Sequence, residues 1–103
     1  MAKKFSPKDN EEVYTLGFDY SELLQDTETL SSATMAIDLA SGTTDAAMAT
    51  MLLGACTING TVVSQMVRNG VAGNVYRLDC LVTTSLSNKY MLNGTIAIVE
   101  KNP

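Results

Sequence analysis

The chain has no histidine and no tryptophan, only two prolines and two cysteines, and charged side chains make up just 17% of its 103 residues. Each shortage excludes something. Without His, the base of a nucleophile or general-base pair would have to be a carboxylate or a lysine. The carboxylates gather in the tail and between apolar stretches instead of alternating with core positions. No Gly-rich phosphate loop, metal-ligand spacing or nucleophile elbow is present. The sequence therefore predicts no enzyme, no catalytic residues and no cofactor. Two thiols without His also fall short of the four ligands of a structural zinc site, so no metal is expected.

The formal net charge is −4, the wrong sign for a face that displaces counterions from phosphates, and no nucleic-acid partner is expected. No stretch approaches the ~20 apolar residues of a membrane-spanning helix. The opening "MAKKFSPKDNEE" has basic residues but no apolar run behind them, so it does not read as a secretion signal. Synthesis and folding in a cytosol follow as the expectation. Cys56 and Cys80 each sit on an apolar alternation where a small hydrophobe fits. A reduced core pair is the first reading in that compartment, and a cross-strand disulfide is the alternative. "NGT" occurs at Asn59–Thr61 and again at Asn93–Thr95. Without a secretion signal these are turn or bulge chemistry instead of glycosylation acceptors.

What is present is alternation. Residues 1–11, rich in Lys, Ser, Pro, Asp and Asn with the single aromatic Phe5, read as a flexible N-terminal arm. Residues 12–103 read as one domain. Tyr14, Leu16 and Phe18 share one side of a first strand. Ala33, Met35, Ile37 and Leu39 share one face of a second, closed by Ser41-Gly42. "TTDAAMATMLLGAC" starts with helix formers, but its tail alternates Leu52, Gly54, Cys56 and Ile58 into Asn59-Gly60, a strong hairpin signal. In "TVVSQMV" either Val62, Ser64 and Met66 or Val63, Gln65 and Val67 face inward.

"GVAGNVYRLDCLVTTS" follows, with Tyr76, Leu78, Cys80 and Val82 on the core face and Val75, Arg77, Asp79 and Leu81 opposite. The last strand runs from about Lys89 to Val99, and Gly94 within it suggests a bulge or bend. Short strands at regular spacing, with turns between and no sustained helix, predict an all-β, antiparallel β-sandwich of about seven strands. A glycine-bearing turn leading to Tyr76 resembles the penultimate strand of immunoglobulin and fibronectin-III-like domains, where a Tyr hydroxyl anchors the turn before it. The predicted core is Tyr14, Leu16, Met35, Ile37, Leu52, Cys56, Tyr76, Leu78, Cys80, Ile96 and Ile98.

Taken together, "SSATMAIDLASGTTDAAM", "MLLGACTINGTVVSQMVRNGVAGNVYRLDCLVTTSLSNKYML" and the terminal strand resemble a family of small tailed-phage virion proteins. These are immunoglobulin-like domains described as fiber-tail adaptor or tail and neck accessory proteins. The resemblance covers roughly residues 13–99, and its most distinctive part is Gly73, Tyr76, Leu78, Cys80 and Thr83–Ser85. It implies a virion structural protein, made in the host cytoplasm. It also implies several copies, as a homo-oligomer on the particle, joining the tail or neck to a fiber or neighbouring tail component. The alternatives are a capsid decoration or head-fiber base protein, and a free-standing surface- or carbohydrate-binding module. The last is weakened by an aromatic content of only 6%, because sugar recognition leans on exposed aromatic rings. The candidate interface residues are Lys3, Lys4 and Phe5 in the arm, with the outward-facing Arg77 and Asp79.

Overall fold

A computed structural model of the protein describes residues 2–5, 7–9 and 11–99, the side chains of residues 2 and 3 excepted. It is built from strands β1 (Ala2–Lys4), β2 (Lys8–Asp9), β3 (Tyr14–Asp19), β4 (Leu30–Ser41), β5 (Leu52–Asn59), β6 (Val62–Val67), β7 (Val75–Thr84) and β8 (Lys89–Val99). Two sheets face each other. In one, β4, β7 and β8 run antiparallel in the order β4-β7-β8, and both β1 and β2 lie parallel along β8. In the other, β6 is flanked by β3 and β5, both antiparallel to it.

The strand alternation places the core where the sequence predicts it. Tyr76, Leu78, Cys80 and Val82 are fully buried along β7, opposed by Leu16 and Phe18 of β3 and by Val63 and Val67 of β6. Ile96 and Ile98 of β8 complete the layer. The undecided phase of β6 resolves with Val63, Gln65 and Val67 inward. Tyr14, Met35, Ile37, Leu52 and Cys56, expected in the core, are only half-buried and pack on its margin. They sit on β3, β4 and β5, each of which, among the described residues, pairs with a single neighbouring strand.

Other expectations change for local reasons. Met48–Met51 forms one 3₁₀ turn, with the backbone N–H of Ala47 donating to Asp45 Oδ1 at 3.0 Å, and β5 starts directly after it. The β5–β6 hairpin loop is Gly60-Thr61, with Asn59 still in the strand and Gly60 at φ +62°. Glycine thus takes the first central position, as a type II′ turn requires. Gly94 marks no bulge: the β7–β8 register runs unbroken from Val75↔Ala97 to Thr83↔Lys89. The register slips instead in β4, between Leu30 and Ser32 and between Leu39 and Ser41, and in β5, between Leu53 and Thr57. Gln65, 2% exposed, caps the β5 irregularity by donating from Nε2 to the Gly54 carbonyl at 3.1 Å and to its neighbour Met66 at 2.9 Å. A buried amide is tolerated there because the bulge leaves carbonyls in need of donors.

The segment expected as an arm runs along the sheet. The Phe5 ring meets Phe18 edge-on at 5.4 Å, and its N–H donates to the Thr95 carbonyl at 2.9 Å. Phe5 and the strand backbone give these residues apolar area and a ladder to join, which composition alone does not reveal. Met1, Ser6 and Asn10 of that segment lie outside the described residues.

Leu78 is fully buried in the central strand. Leu78→Ala is expected to cost about 2–5 kcal/mol, read as a lowered denaturation midpoint against wild type; an unchanged midpoint would overturn the β7 register.

Candidate functional site

Two polar networks close the ends of the sandwich, and both hold loops instead of opening a pocket. At one end Tyr76 sits at the start of β7 with its hydroxyl inward. That oxygen accepts from the Val71 N–H at 3.0 Å and from Asn74 Nδ2 at 3.1 Å, and donates to Asp45 Oδ2 at 2.9 Å. Asn74, 2% exposed, exchanges a pair of hydrogen bonds with the backbone of Thr43, receiving its N–H and donating to its carbonyl. A Cβ at Gly42 (φ +117°) would overlap the Asn74 side chain, so the amide fits only because residue 42 is glycine. Burial first, then the Asp45 carboxylate, raise the Tyr76 pKa above 10.0.

At the other end Glu28, 5% exposed, gathers the β7–β8 turn. Its carboxylate accepts from Thr84 Oγ1, from the Gln25 N–H at 2.9 Å, from Asn88 Nδ2 at 3.0 Å and from the Tyr90 hydroxyl at 3.3 Å. These donors, Thr84 foremost, hold its pKa below the ordinary 4.5. Between the two ends, Tyr20 donates from its hydroxyl to the Cys80 carbonyl and stitches one sheet to the other. Cys56 and Cys80 are both free thiols, and burial raises the Cys80 pKa above its ordinary value of 9.0. Among the described residues no group of three or more His, Cys, Asp or Glu is placed to hold a metal.

The predicted interface residues fall into two sets. Lys4 is opposite Thr95 across β1 and β8, Thr95 opposite Arg77 across β8 and β7, and Arg77 opposite Asp38 across β7 and β4. Directly opposed residues share a sheet face, so Lys4, Arg77 and Asp38 form one row on the outer face. Arg77 is the hinge of that row, 3.3 Å from both Asp38 and Asp79. The next row carries Asp79 between Asn93 and Ala36. Exposed Met91, opposite Leu81, adds an apolar flank. Lys3 is placed through its backbone, opposite Gly94. Phe5 points the other way, into the core margin. Its contact surface is therefore largely spent inside the chain.

Sequence reasoning missed Asp38 as the partner of Arg77, which alternation of β4 against β7 would have supplied once the pairing was known. It also missed Lys8. That side chain is fully buried, and its Nζ donates to the carbonyls of Asp9 and Asn69, both at 2.8 Å. Burial lowers its pKa from 10.5, against the opposing pull of Glu12 and Asp9. No sequence pattern announces a lysine folded under a loop.

Replacing Tyr76 by Phe removes the acceptor of the Val71 N–H, one of the two acceptors of Asn74 Nδ2 and the donor to Asp45 Oδ2. The expected loss is about 1–3 kcal/mol, measured by chemical denaturation. For Glu28 the folded pKa lies below the unfolded one, so its contribution is complete above the unfolded value. It is lost as pH falls through the folded value. Thermal midpoints between about pH 5 and pH 3 should fall less steeply in Glu28→Gln than in wild type.

A family model described as podophage GP4 fiber-tail adaptor protein gp77 matches residues 8–98. No curated protein matches the chain.

Proposed function

The chain belongs to the podophage GP4 fiber-tail adaptor protein gp77 family, and from that premise we propose that it is a non-enzymatic virion component joining the tail or neck to a fiber or a neighbouring tail protein. The observation that carries this reading is the extent of the match, residues 8–98, across a sandwich whose buried Glu28 and Asn74 are spent on its own loops. Adaptors work by presenting surface, and this fold presents two outer sheet faces and several strand edges.

We read the sandwich as immunoglobulin-like. The neighbours β4-β7-β8 in one sheet and β3-β6-β5 in the other correspond to the C-F-G and B-E-D strands of that fold. The Tyr76 hydroxyl on the Val71 N–H supports it, since a tyrosine near the start of strand F ties back to upstream backbone in the same way. Residues 12–103 form the domain, and residues 1–11 are its N-terminal extension. The contact patch we propose is the outer row of Lys4, Arg77 and Asp79, with Lys3 beside it and Phe5 holding the extension in place. Several copies share the particle. A net charge of −4 argues against nucleic acid as partner, and no membrane enters the proposal.

Immunogold labelling of intact particles of the source phage, with antibody against this protein, is expected to mark the tail or neck. Label over the head would replace the adaptor with a capsid decoration protein. Purified particles without label would sink the virion reading.

A further inference from the structure

We propose that Asn59-Gly60, at the tip of the β5–β6 hairpin, is a site of spontaneous covalent modification, where the Asn59 side chain closes onto the Gly60 nitrogen and reopens as aspartate or isoaspartate. The chain has three Asn-Gly pairs, at residues 59, 69 and 93. The fold holds two of them shut and leaves the first free to react.

The chemistry needs nothing but water. The Gly60 nitrogen gives up its proton and attacks Asn59 Cγ. A new N–Cγ bond forms, the Cγ–Nδ2 bond breaks, and Nδ2 leaves as ammonia with the displaced proton. The product is a five-membered succinimide. Water then adds to one of the two ring carbonyls and breaks its bond to the ring nitrogen. Opening at Cγ gives aspartate. Opening at the main-chain carbonyl gives isoaspartate, in which the backbone runs through Cγ. A following glycine favours the attack, because no Cβ crowds its nitrogen and its backbone turns freely.

The attack also requires the asparagine to rotate out of its strand or turn, so the pairs are ranked by how cheaply each opens. Asn59 and Gly60 are both exposed, and open space surrounds Gly60. The Asn59 side chain makes no hydrogen bond among the described residues. Gly60 is a central residue of a two-residue loop, where the N–H lies outside the ladder. Between the β5 slip and this turn stand only Thr57↔Ser64, Ile58↔Val63 and Asn59↔Val62. Opening the last of these uncovers no buried residue.

The other two pairs are anchored. The Asn69 carbonyl accepts from the buried Lys8 Nζ at 2.8 Å, and its Nδ2 reaches Thr50 Oγ1 at 3.4 Å. Gly70 is pressed against Ile98. Rotating Asn69 would strip the ammonium of an acceptor. Asn93 is half-buried within β8, and Gly94 is buried with Leu78 of β7 on one side and Lys3 of β1 on the other.

The modification has a structural consequence. Asn59 and Asp19 flank Val62 in one row of the smaller sheet, so either product adds a second carboxylate to that row. Isoaspartate also lengthens the backbone and breaks the Asn59↔Val62 pairing. Thr61 follows directly, and it ties the hairpin to the end of β3: its carbonyl accepts the Tyr20 N–H at 2.9 Å and its Oγ1 donates to Asp19 Oδ1 at 3.0 Å. Ageing at residue 59 therefore loosens this junction.

The test is mass spectrometry of the purified full chain stored at mildly alkaline pH, native and in concentrated urea. Cleavage after Lys and Arg places the three pairs in separate fragments, residues 9–68, 69–77 and 90–101. In the native chain Asn59 is expected to convert at least about tenfold faster than Asn69 or Asn93, the ratio that ~1.4 kcal/mol less opening free energy supplies. In urea the three rates should come together. Asn59→Ser, which cannot cyclise, should abolish the mass gain of its fragment and the lower-melting fraction that wild type develops on storage. Asn69 or Asn93 converting as fast as Asn59 in the native chain would overturn the proposal. So would an Asn59 that stays intact in the native chain while the unfolded one converts, or a mass gain that persists in Asn59→Ser.

Discussion

Everything in this molecule depends on the burial of one face of β7. Tyr76, Leu78, Cys80 and Val82 alternate with Val75, Arg77, Asp79 and Leu81, and the first four have no exposure at all. Because β7 lies between β4 and β8 in its sheet, its backbone is paired on both sides, and its inner face is covered by Leu16, Phe18, Val63 and Val67. A slip of one residue would turn Arg77 and Asp79 into the core and the four core residues into water, which the buried apolar area forbids. Register on β7 fixes register on its two neighbours. The outer row of Lys4, Arg77 and Asp38 exists for that reason.

The two sides of the larger sheet are treated differently. Along β8 the chain spends its own N-terminal residues, and the cost includes a buried ammonium. Lys8 offsets its lost hydration with two carbonyl acceptors at 2.8 Å and the nearby charges of Glu12 and Asp9. A buried cation is tolerated only with such partners. One of the two acceptors is the carbonyl of Asn69, which has φ +60°, and Gly70 follows at +102°. Gly70 must lack a side chain, since a Cβ there would press on Ile98. The left-handed turn, the lysine under it and the parallel strands beside it thus form one unit, and it seals an edge. Along β4 the cover is slighter: the Cys56 thiol of β5 donates to the Ala33 carbonyl at 3.6 Å.

Much of this was legible in the sequence because alternation reports a half-covered sheet directly. Strands β3, β4, β5, β7 and β8 follow from it, as does the inward phase of β7. The phase of β6 did not, since its inner set contains Gln65 and its outer set contains Val62 and Met66. The signal there is erased by the β5 bulge, whose open carbonyls make a polar residue the right choice at an inner position. Met35 and Ile37 carry full core character yet are half-buried, because alternation tells which way a side chain points and not how many strands lie across from it. The extension carrying Phe5 and Lys8 was least legible: its order comes from β8 and the Asn69 turn, contacts that only the fold creates.

The same limit applies to the surface. Arg77 and Asp79 could be picked out as outward charges on an apolar strand, but Lys4 joins them only through Thr95, and Asp38 only through the β4–β7 register. A row assembled from four strands has no linear motif, so it cannot be read until the pairing of those strands is known. Family membership therefore identifies the role of this chain, while the structure adds an asymmetry that membership does not contain. One edge is closed by the chain itself and the other is long, uncharged apart from Asp38, and unfinished on its inner face.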